Sequence, residues 1–285
     1  MEILFSLLYA LFIGLYNTFK KLSLKRSNET SILLIFTTVA FFLSFVWIPF
    51  GVAIPLKFVP IFALKGFLLA LSWYLILKVL KDVDLSAVTV TNVLSAVLSF
   101  VLGLVIFKES TTIWQIVGSV IVVLGVAGIN MLNKTSKGKL QVKHFLLLLV
   151  SVIITSTSNV IDKYTTTYLS ACQVQFWFLL FVVVFSWIFF AIDCLRRKEF
   201  LIKKHDFKNF WIYLVGIFLF VGDMMLFFAY RVRGSKMITI NVIAKLKVIV
   251  PVLMGILVFK EKNVLAKIMI TLTIILGVIL ISVSG

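Results

Sequence analysis

Long apolar runs dominate this sequence and restrict the folds that it can adopt. Segments of about twenty residues contain almost no charged side chains, and short polar stretches separate them. An α-helix of that length crosses a hydrocarbon core of about 30 Å. A membrane β-barrel would instead show shorter segments of alternating hydrophobicity. The pattern predicts ten membrane-spanning helices, near residues 2–19, 31–50, 59–80, 85–107, 112–131, 144–164, 170–193, 209–230, 237–259 and 264–283.

The composition predicts an all-α polytopic protein of the cell membrane. Of the 285 residues, 62% are hydrophobic and only 14% are charged, whereas a water-facing surface needs far more polar side chains. The longest connection, residues 194–209, is too short for an extramembrane domain. No nucleophile–base pair or cluster of metal ligands is apparent in the sequence, which predicts no catalytic residues, no metal and no cofactor.

The basic residues predict how the chain is oriented. The net charge of +17 would suggest nucleic acid in a soluble protein, but in a membrane protein the distribution of positive charge among the loops is what matters. Loops after odd-numbered predicted helices contain most of the lysines and arginines. This assignment counts Lys20 with the loops and places Lys65 and Lys267 in the first turns of their helices. The positive-inside rule then puts these loops in the cytoplasm and both termini outside.

The two parts of the chain resemble each other. "FVLGLVIFKESTTIWQIVGSVIVVLGVAGIN" (100–130) is similar to "VLMGILVFKEKNVLAKIMITLTIILGVILIS" (252–282), and "YNTFKK" (16–21) is similar to "SNVIDK" (158–163). Each copy contains five predicted helices, and an odd number inserts the second copy upside down. The predicted organisation is therefore a first repeat at 1–133, a basic linker at 134–143 and an inverted second repeat at 144–285.

Three features resemble the drug/metabolite transporter superfamily, and within it the EamA-type family. They are "GLYNTFKK" at the end of the first helix, "WYLILKVLKDVDLSAVTV" (73–90) with its partner "MLFFAYRVRGSKMITI" (225–240), and the paired helices that end in "FKE". The resemblance implies a ten-helix, alternating-access carrier without ATP for amino acids, other metabolites or drugs. Members commonly have both termini in the cytoplasm, which is opposite to the orientation that the loop charges predict.

Lys245 and Lys247 lie deep inside the ninth predicted helix. Lys247 is about 15 Å from one end of that apolar run and about 18 Å from the other. Asp223 comes to a similar depth on the eighth helix, so it is either a structural partner of Lys245 or a proton-coupling or substrate-binding carboxylate. No second acid is expected at that depth, because Asp162 lies near a helix end. Glu261, at the predicted water boundary, is expected to be a solvated loop charge.

Lys247 is left without a predicted partner. It is therefore expected to bind an anion, or else to snorkel or be buried neutral. Related nucleotide-sugar and triose-phosphate carriers place a phosphate-binding lysine at a similar point of this helix, and Lys247 matches it by its distance to Phe259. Polar and aromatic residues inside the spans either bond neighbouring helices or line a substrate pocket. These further candidates are Asn241 beside Lys245, and Asn17, Asn92, Asn159, Tyr16, Trp73 and Tyr74.

These features predict a secondary active transporter for a small polar metabolite that is anionic or zwitterionic. Lys247 would hold the acidic group, and Asp223 would couple a proton. Alternatives are a lipophilic-cation exporter with Asp223 as its anionic site, a flippase component for lipid-linked carriers, and a membrane partner without transport activity. The expected partners are a small-molecule substrate and membrane lipid but no nucleic acid, and the chain is expected to be a monomer or a homodimer.

Overall fold

The computed structural model describes residues 1–95, 97–98, 101–102, 112–133, 141–232, 240 and 243–283. Every regular element in these ranges is helical. The α-helices are α1 Glu2–Ser23, α2 Glu29–Leu43, α3 Val59–Asp82, α4 Leu85–Thr91, α5 Ile113–Asn133, α6 Val142–Tyr168, α7 Ala171–Arg197, α8 Lys204–Phe207, α9 Phe210–Arg231, α10 Ile249–Leu257 and α11 Val264–Val283, with 3₁₀ segments at Ser44–Phe50, Leu56–Phe58 and Leu246–Val248.

Six helices in the described ranges are long and apolar enough to cross a membrane. They are Glu2–Ser23, Glu29–Phe50, Leu56–Asp82, Val142–Tyr168, Ala171–Arg197 and Phe210–Arg231, and two shorter apolar helices occupy Ile113–Gly128 and Val264–Leu280. These eight coincide with predicted spans. The other two predicted spans, 85–107 and 237–259, lie partly outside the described residues. The all-helical, multi-pass architecture is confirmed, whereas the count of ten helices stays a prediction.

Local signals set several helix ends. Asn28 precedes α2, and its side-chain oxygen accepts a hydrogen bond from the backbone N–H of Ser31 at 2.8 Å. Ser170 and Gln173 form a capping box before α7. Both arrangements satisfy backbone N–H groups that the first helical turn leaves unpaired. After α2, the 3₁₀ segment contains Pro49 and ends at Phe50, and the positive φ of 81° at the following Gly51 turns the chain toward α3.

The buried side chains form two main packing units. The larger unit contains α1, α2, α3, α7 and α9, and α6 packs on α3. The smaller unit contains α4, α5, α10 and α11. Close contact between helices is possible where a glycine replaces a side chain. A Cβ atom placed on Gly66 of α3 would lie 2.5 Å from Cβ of Phe181 in α7, so the two backbones pack directly against each other.

Two helices are interrupted where the packing units meet. After α4 the chain makes a turn at residues 92–93 before helical residues 94–95, and the 3₁₀ segment Leu246–Val248 separates helical residues 243–245 from α10. Pro251 explains the second interruption, because it has no N–H to donate to the carbonyl of Lys247 four residues earlier. Lys245 Nζ donates to Ser95 Oγ at 2.8 Å and so links the two interrupted regions.

Glu261 corrects an expectation, because it is buried rather than solvated. Its carboxylate accepts hydrogen bonds from the backbone N–H of Leu85 at 2.9 Å, from the Ser86 hydroxyl, and from Lys267 Nζ at 2.8 Å. Lys267, counted above among first-turn cations, is 1% exposed and also contacts Asp84 at 3.2 Å. This group of charges ties the turn between α10 and α11 to the start of α4, where a carboxylate is favoured by the helix dipole.

Candidate functional site

A cavity of about 120 Å³ lies between the two packing units. Helices α1, α3, α6, α7 and α9 line it, together with the interrupted regions next to α4 and α10. Its wall is unusually polar for the interior of a membrane protein, since charged groups there are costly. The charged and amide side chains in the wall are Asn17, Lys20, Lys65, Asn92, Asn159, Asp162, Asp223 and Lys247.

Lys247 lies in the 3₁₀ segment and faces this cavity. Its Nζ is 5.6 Å from the centroid of the Tyr9 ring, and it forms no ion pair with a carboxylate of the described residues. Helix α1 approaches the interruption closely at Gly14, where a Cβ atom would lie 3.2 Å from the Lys247 carbonyl oxygen. The ammonium group therefore lies in a polar cavity rather than in lipid.

The structure does not contain the expected pair between Asp223 and Lys245. Asp223 lines the cavity, whereas Lys245 is buried behind the wall and bonds to Ser95 instead. The equal depth of the two residues was a poor guide, because depth gives no information on which side of its helix a residue lies. The charges that act on Asp223 include those of Lys65, Asp162 and Lys247. Asp223 thus stays a candidate for proton or substrate binding, and Lys245 has a structural contact.

An ion pair in the cavity wall was missed by sequence reasoning. Lys65 of α3 contacts Asp162 of α6, and their side chains are 1% and 8% exposed. Lys65 Nζ also lies 4.3 Å from the ring centroid of Phe178. The expectation that no second acid reaches this depth was therefore wrong. The sequence did contain a signal, because Asp162 belongs to the repeat motif "SNVIDK". Asp162 was placed near a helix end because the predicted span stopped at 164, whereas the helix continues to Tyr168.

The remaining candidates divide between the cavity and other places. Asn17, Asn92, Asn159, Tyr16 and Trp73 line the cavity. The amides of Asn17 and Asn92 make no side-chain hydrogen bond to another described residue, so they are available to a bound molecule.

Tyr74 was expected in the pocket but lies against α7. Its hydroxyl donates to Asp193 Oδ2 at 2.6 Å. Asn241 lies outside the described residues.

Lys20 is a cavity residue that the charge count had assigned to a loop. It is 1% exposed, and its Nζ is 4.1 Å from the centroid of the Tyr16 ring. Side chains in a helix lean toward the N-terminus, so a residue near the end of α1 places its amine about one turn further into the protein. The aromatic pattern at Tyr16 could have indicated this position, because a lysine four residues after a tyrosine lies on the same helix face.

The wall can bind both signs of charge. Three lysines and two aspartates line the cavity, which gives the lining a net charge of +1 when all are ionised. The Lys65–Asp162 ion pair shares this wall with Asp223, whose charge acts on all three lysines. Partly exposed amides complete a lining that suits a small polar molecule with an acidic group.

Comparison with known proteins agrees with the membrane architecture. Residues 1–131 match the EamA-like transporter family, whose members are transporters and not enzymes. No curated protein sequence matches the chain. The fold is similar to that of a protein solved by crystallography, over 98% of this chain and 95% of that chain, with a TM-score of 0.69 and 13% sequence identity. The chain is thus an integral, multi-pass membrane protein that matches the EamA-like transporter family over residues 1–131, consistent with the drug/metabolite transporter superfamily.

Proposed function

We propose that this protein is a secondary active transporter that moves a small polar metabolite with an acidic group by alternating access. The observation that carries this proposal is the position of Lys247. Its amine faces a polar cavity at a helix interruption and has no carboxylate partner among the described residues. An unpaired charge in a membrane interior is costly, and a negatively charged cargo would offset that cost.

The size of the cavity supports a small cargo. A cavity of about 150 Å³ holds a benzene molecule, and drug-sized ligands occupy pockets of about 300–1,000 Å³. The cavity here measures about 120 Å³. In this conformation it suits a small metabolite better than a lipophilic drug or the head group of a lipid-linked carrier.

The contacts between helices support two inverted five-helix halves. The repeat pairs α1 with α6, α2 with α7, α3 with α9, α4 with α10 and α5 with α11. Under this pairing, the contact of α1 with α9 corresponds to the contact of α6 with α3. Likewise the contact of α3 with α7 corresponds to that of α9 with α2. The α5–α11 contact corresponds to itself, and the repeat-related residues Gly125 and Gly277 both lie in it. Such reciprocity is what a two-fold relation between the halves requires.

The interrupted helices also support transport. In the repeat alignment the turn at residues 92–93 corresponds to residues 244–245, and the 3₁₀ segment Leu246–Val248 begins directly after them, so the two interruptions are adjacent in the alignment. Transporters with inverted repeats bind substrate near the membrane midplane, where discontinuous helices from the two halves meet. Rocking of one half against the other would expose such a site to each side in turn. Asp223, in the same cavity, would take up a proton during this cycle.

The decisive experiment measures transport by purified Lys247→Met protein in vesicles. A thermal-shift screen of small metabolite acids on the wild-type protein identifies the cargo, and counterflow of the labelled cargo in proteoliposomes then measures transport. Lys247→Met should reduce counterflow at least about tenfold, because a hydrogen bond to a charged group contributes about 1.5–3 kcal/mol. Lys57→Met, at an exposed position outside the cavity, is the control and should transport normally.

Asp223→Asn separates this proposal from export of a lipophilic cation. If Asp223 couples a proton, the variant should lose stimulation by a pH gradient but keep counterflow of the acid. If the cargo is a cation held by Asp223, this variant would lose all transport while Lys247→Met would retain it. That second pattern would reject the proposed anionic cargo.

A further inference from the structure

Lys20 is a second lysine of the cavity, and aromatic rings rather than a carboxylate surround it. Its Nζ lies 4.1 Å from the ring centroid of Tyr16, 5.3 Å from that of Phe36 and 5.4 Å from that of Trp73. Contacts of a cation with aromatic faces offset part of the cost of desolvation. They do not neutralise the charge. An ammonium group in this position therefore still attracts an anion.

The Tyr16 hydroxyl adds a donor to the same part of the wall. Tyr16 is only 4% exposed, and its hydroxyl has no hydrogen-bond partner among the described residues. Buried polar groups are nearly always hydrogen-bonded, and each exception calls for an explanation. Tyr16 and Lys20 of α1 line the cavity, and so does Lys247 in the 3₁₀ segment before α10. Donors are thus gathered here without a matching acceptor.

In the described part of the chain, the acidic residues of the cavity form no ion pair with this group of donors. Asp162 is paired with Lys65. Asp223 forms no ion pair with Lys20 or Lys247 in the described part of the chain, although its charge acts on both. The lining has a net charge of +1 when its three lysines and two aspartates are all ionised. One negative charge on the cargo would therefore balance the cavity, whereas a phosphate monoester, with a charge of about −1.5 to −2, would exceed that balance.

We propose that Lys20, the Tyr16 hydroxyl and Lys247 together bind a single carboxylate group, so that the cargo is a small monoanionic acid held between α1 and the interrupted helix before α10. This inference rests on the proposed function, since it specifies the acidic group that the transporter recognises. A carboxylate has two oxygens and about four acceptor sites, enough for these three donors. Amides at Asn17 and Asn92 then face the neutral remainder of the cargo.

The chain provides a matched control for this group of residues. Tyr74 and Lys78 of α3 repeat the spacing of Tyr16 and Lys20, and Lys78 Nζ also lies 4.1 Å from the tyrosine ring centroid. Neither residue lines the cavity, and the Tyr74 hydroxyl is bonded to Asp193. The same substitutions in the two pairs therefore separate loss of the carboxylate site from loss of a tyrosine–lysine contact.

The test measures the thermal stability of the full-length protein in detergent with sodium acetate, with acetamide as a neutral analogue of similar shape, and with sodium chloride at equal ionic strength. Acetate, but not acetamide, should raise the Tm of the wild-type protein. Lys20→Met and Tyr16→Phe should each weaken the apparent acetate affinity about 10- to 100-fold, as expected when a hydrogen bond to a charged group is lost. Lys78→Met and Tyr74→Phe should keep the wild-type affinity.

Two results would overturn this proposal. The first is the absence of an acetate-dependent shift in the wild-type protein, and the second is equal acetate affinity in the Tyr16 and Tyr74 variants. Tyr16→Phe keeps the aromatic ring over Lys20, so it remains informative if Lys20→Met does not fold. Counterflow by the Lys247 variant is measured independently. If counterflow depends on Lys247 while acetate binding ignores Tyr16 and Lys20, the transport proposal stands and this inference fails.

Discussion

At the scale of single residues, the protein handles its buried charges in two ways. Lys65 is neutralised by Asp162 and lies close to aromatic rings. Lys20 and Lys247 lie in the same cavity wall without a carboxylate partner among the described residues. A buried charge without a partner is costly. The paired lysine is therefore expected to serve stability, and the other two to serve binding.

Lys65→Met should strongly destabilise the protein. Removing one partner leaves the Asp162 carboxylate buried without its cation, which costs about 3–5 kcal/mol. Unfolding in mixed detergent micelles with increasing dodecyl sulfate measures this loss. Adding Asp162→Asn to the same protein should recover most of it, because the uncompensated charge is removed.

Lys81→Met provides the surface comparison. Lys81 contacts Glu29 at 3.7 Å, but its side chain is 58% exposed, and exposed ion pairs contribute about 0–1 kcal/mol. Equal losses of stability in the Lys65 and Lys81 variants would contradict the assignment of a structural role to the buried pair.

At the scale of helices, close packing depends on a few positions without side chains. Gly66 lets α3 pack directly against α7, and Gly14 lets α1 reach the interruption at Lys247. Both contacts bring cavity-lining helices together. The shape of the site therefore depends on residues that do not themselves touch a cargo.

Gly66→Ala should disturb the contact of α3 with α7. The added Cβ would lie 2.5 Å from Cβ of Phe181 and 2.8 Å from its backbone carbon, and a backbone atom cannot move aside as a side chain can. Overpacking of this kind costs about 1–3 kcal/mol. The same dodecyl sulfate titration measures the effect.

Gly128→Ala is the matched helical control. Its Cβ would meet Ile270 Cδ1 at 3.4 Å, an ordinary contact with the end of a flexible side chain. Because alanine favours a helix over glycine by up to about 1 kcal/mol, this variant should be as stable as the wild-type protein or slightly more so. A loss as large as that of Gly66→Ala would show that the close approach of α3 and α7 is unimportant.

At the scale of the whole molecule, the fold places a polar cavity between two packing units that are apolar on the outside. Large hydrophobic side chains such as Leu56 and Leu195 are about four-fifths exposed, at 83% and 78%. A water-soluble protein would not expose them in such numbers, whereas lipid accommodates them. The basic loops predict which face of the membrane is cytoplasmic. Because the termini lie on the opposite face from these loops, both are predicted to be outside.

The orientation is testable with single cysteines in a protein that lacks Cys172 and Cys194. Lys198→Cys lies in a loop that the charge distribution predicts to be cytoplasmic, and Lys57→Cys lies in a loop predicted to be outside; both positions are exposed. A membrane-impermeant maleimide added to intact cells should label the cysteine at 57 and spare the one at 198. The reverse pattern would reject the predicted orientation.

The sequence by itself determined the membrane class, the places of most helices and the position of Lys247 deep in an apolar run. These properties depend on hydrophobicity along one segment, which is a local quantity. The family match over residues 1–131 confirmed the resemblance that was drawn from short motifs. Sequence also selected five residues that line the cavity together with Asp223 and Lys247: Asn17, Asn92, Asn159, Tyr16 and Trp73.

Only the tertiary structure decided which charges face one another. Lys20 and Lys65 looked like residues near the water boundary, yet both lie in the cavity wall. Lys245 and Tyr74 looked like candidates for binding, yet neither lines the cavity, and they bond to Ser95 and Asp193 instead. The physical reason is that a residue's depth follows from its position in the sequence. The neighbour that it meets depends on the rotation of each helix and on which distant helix packs against it.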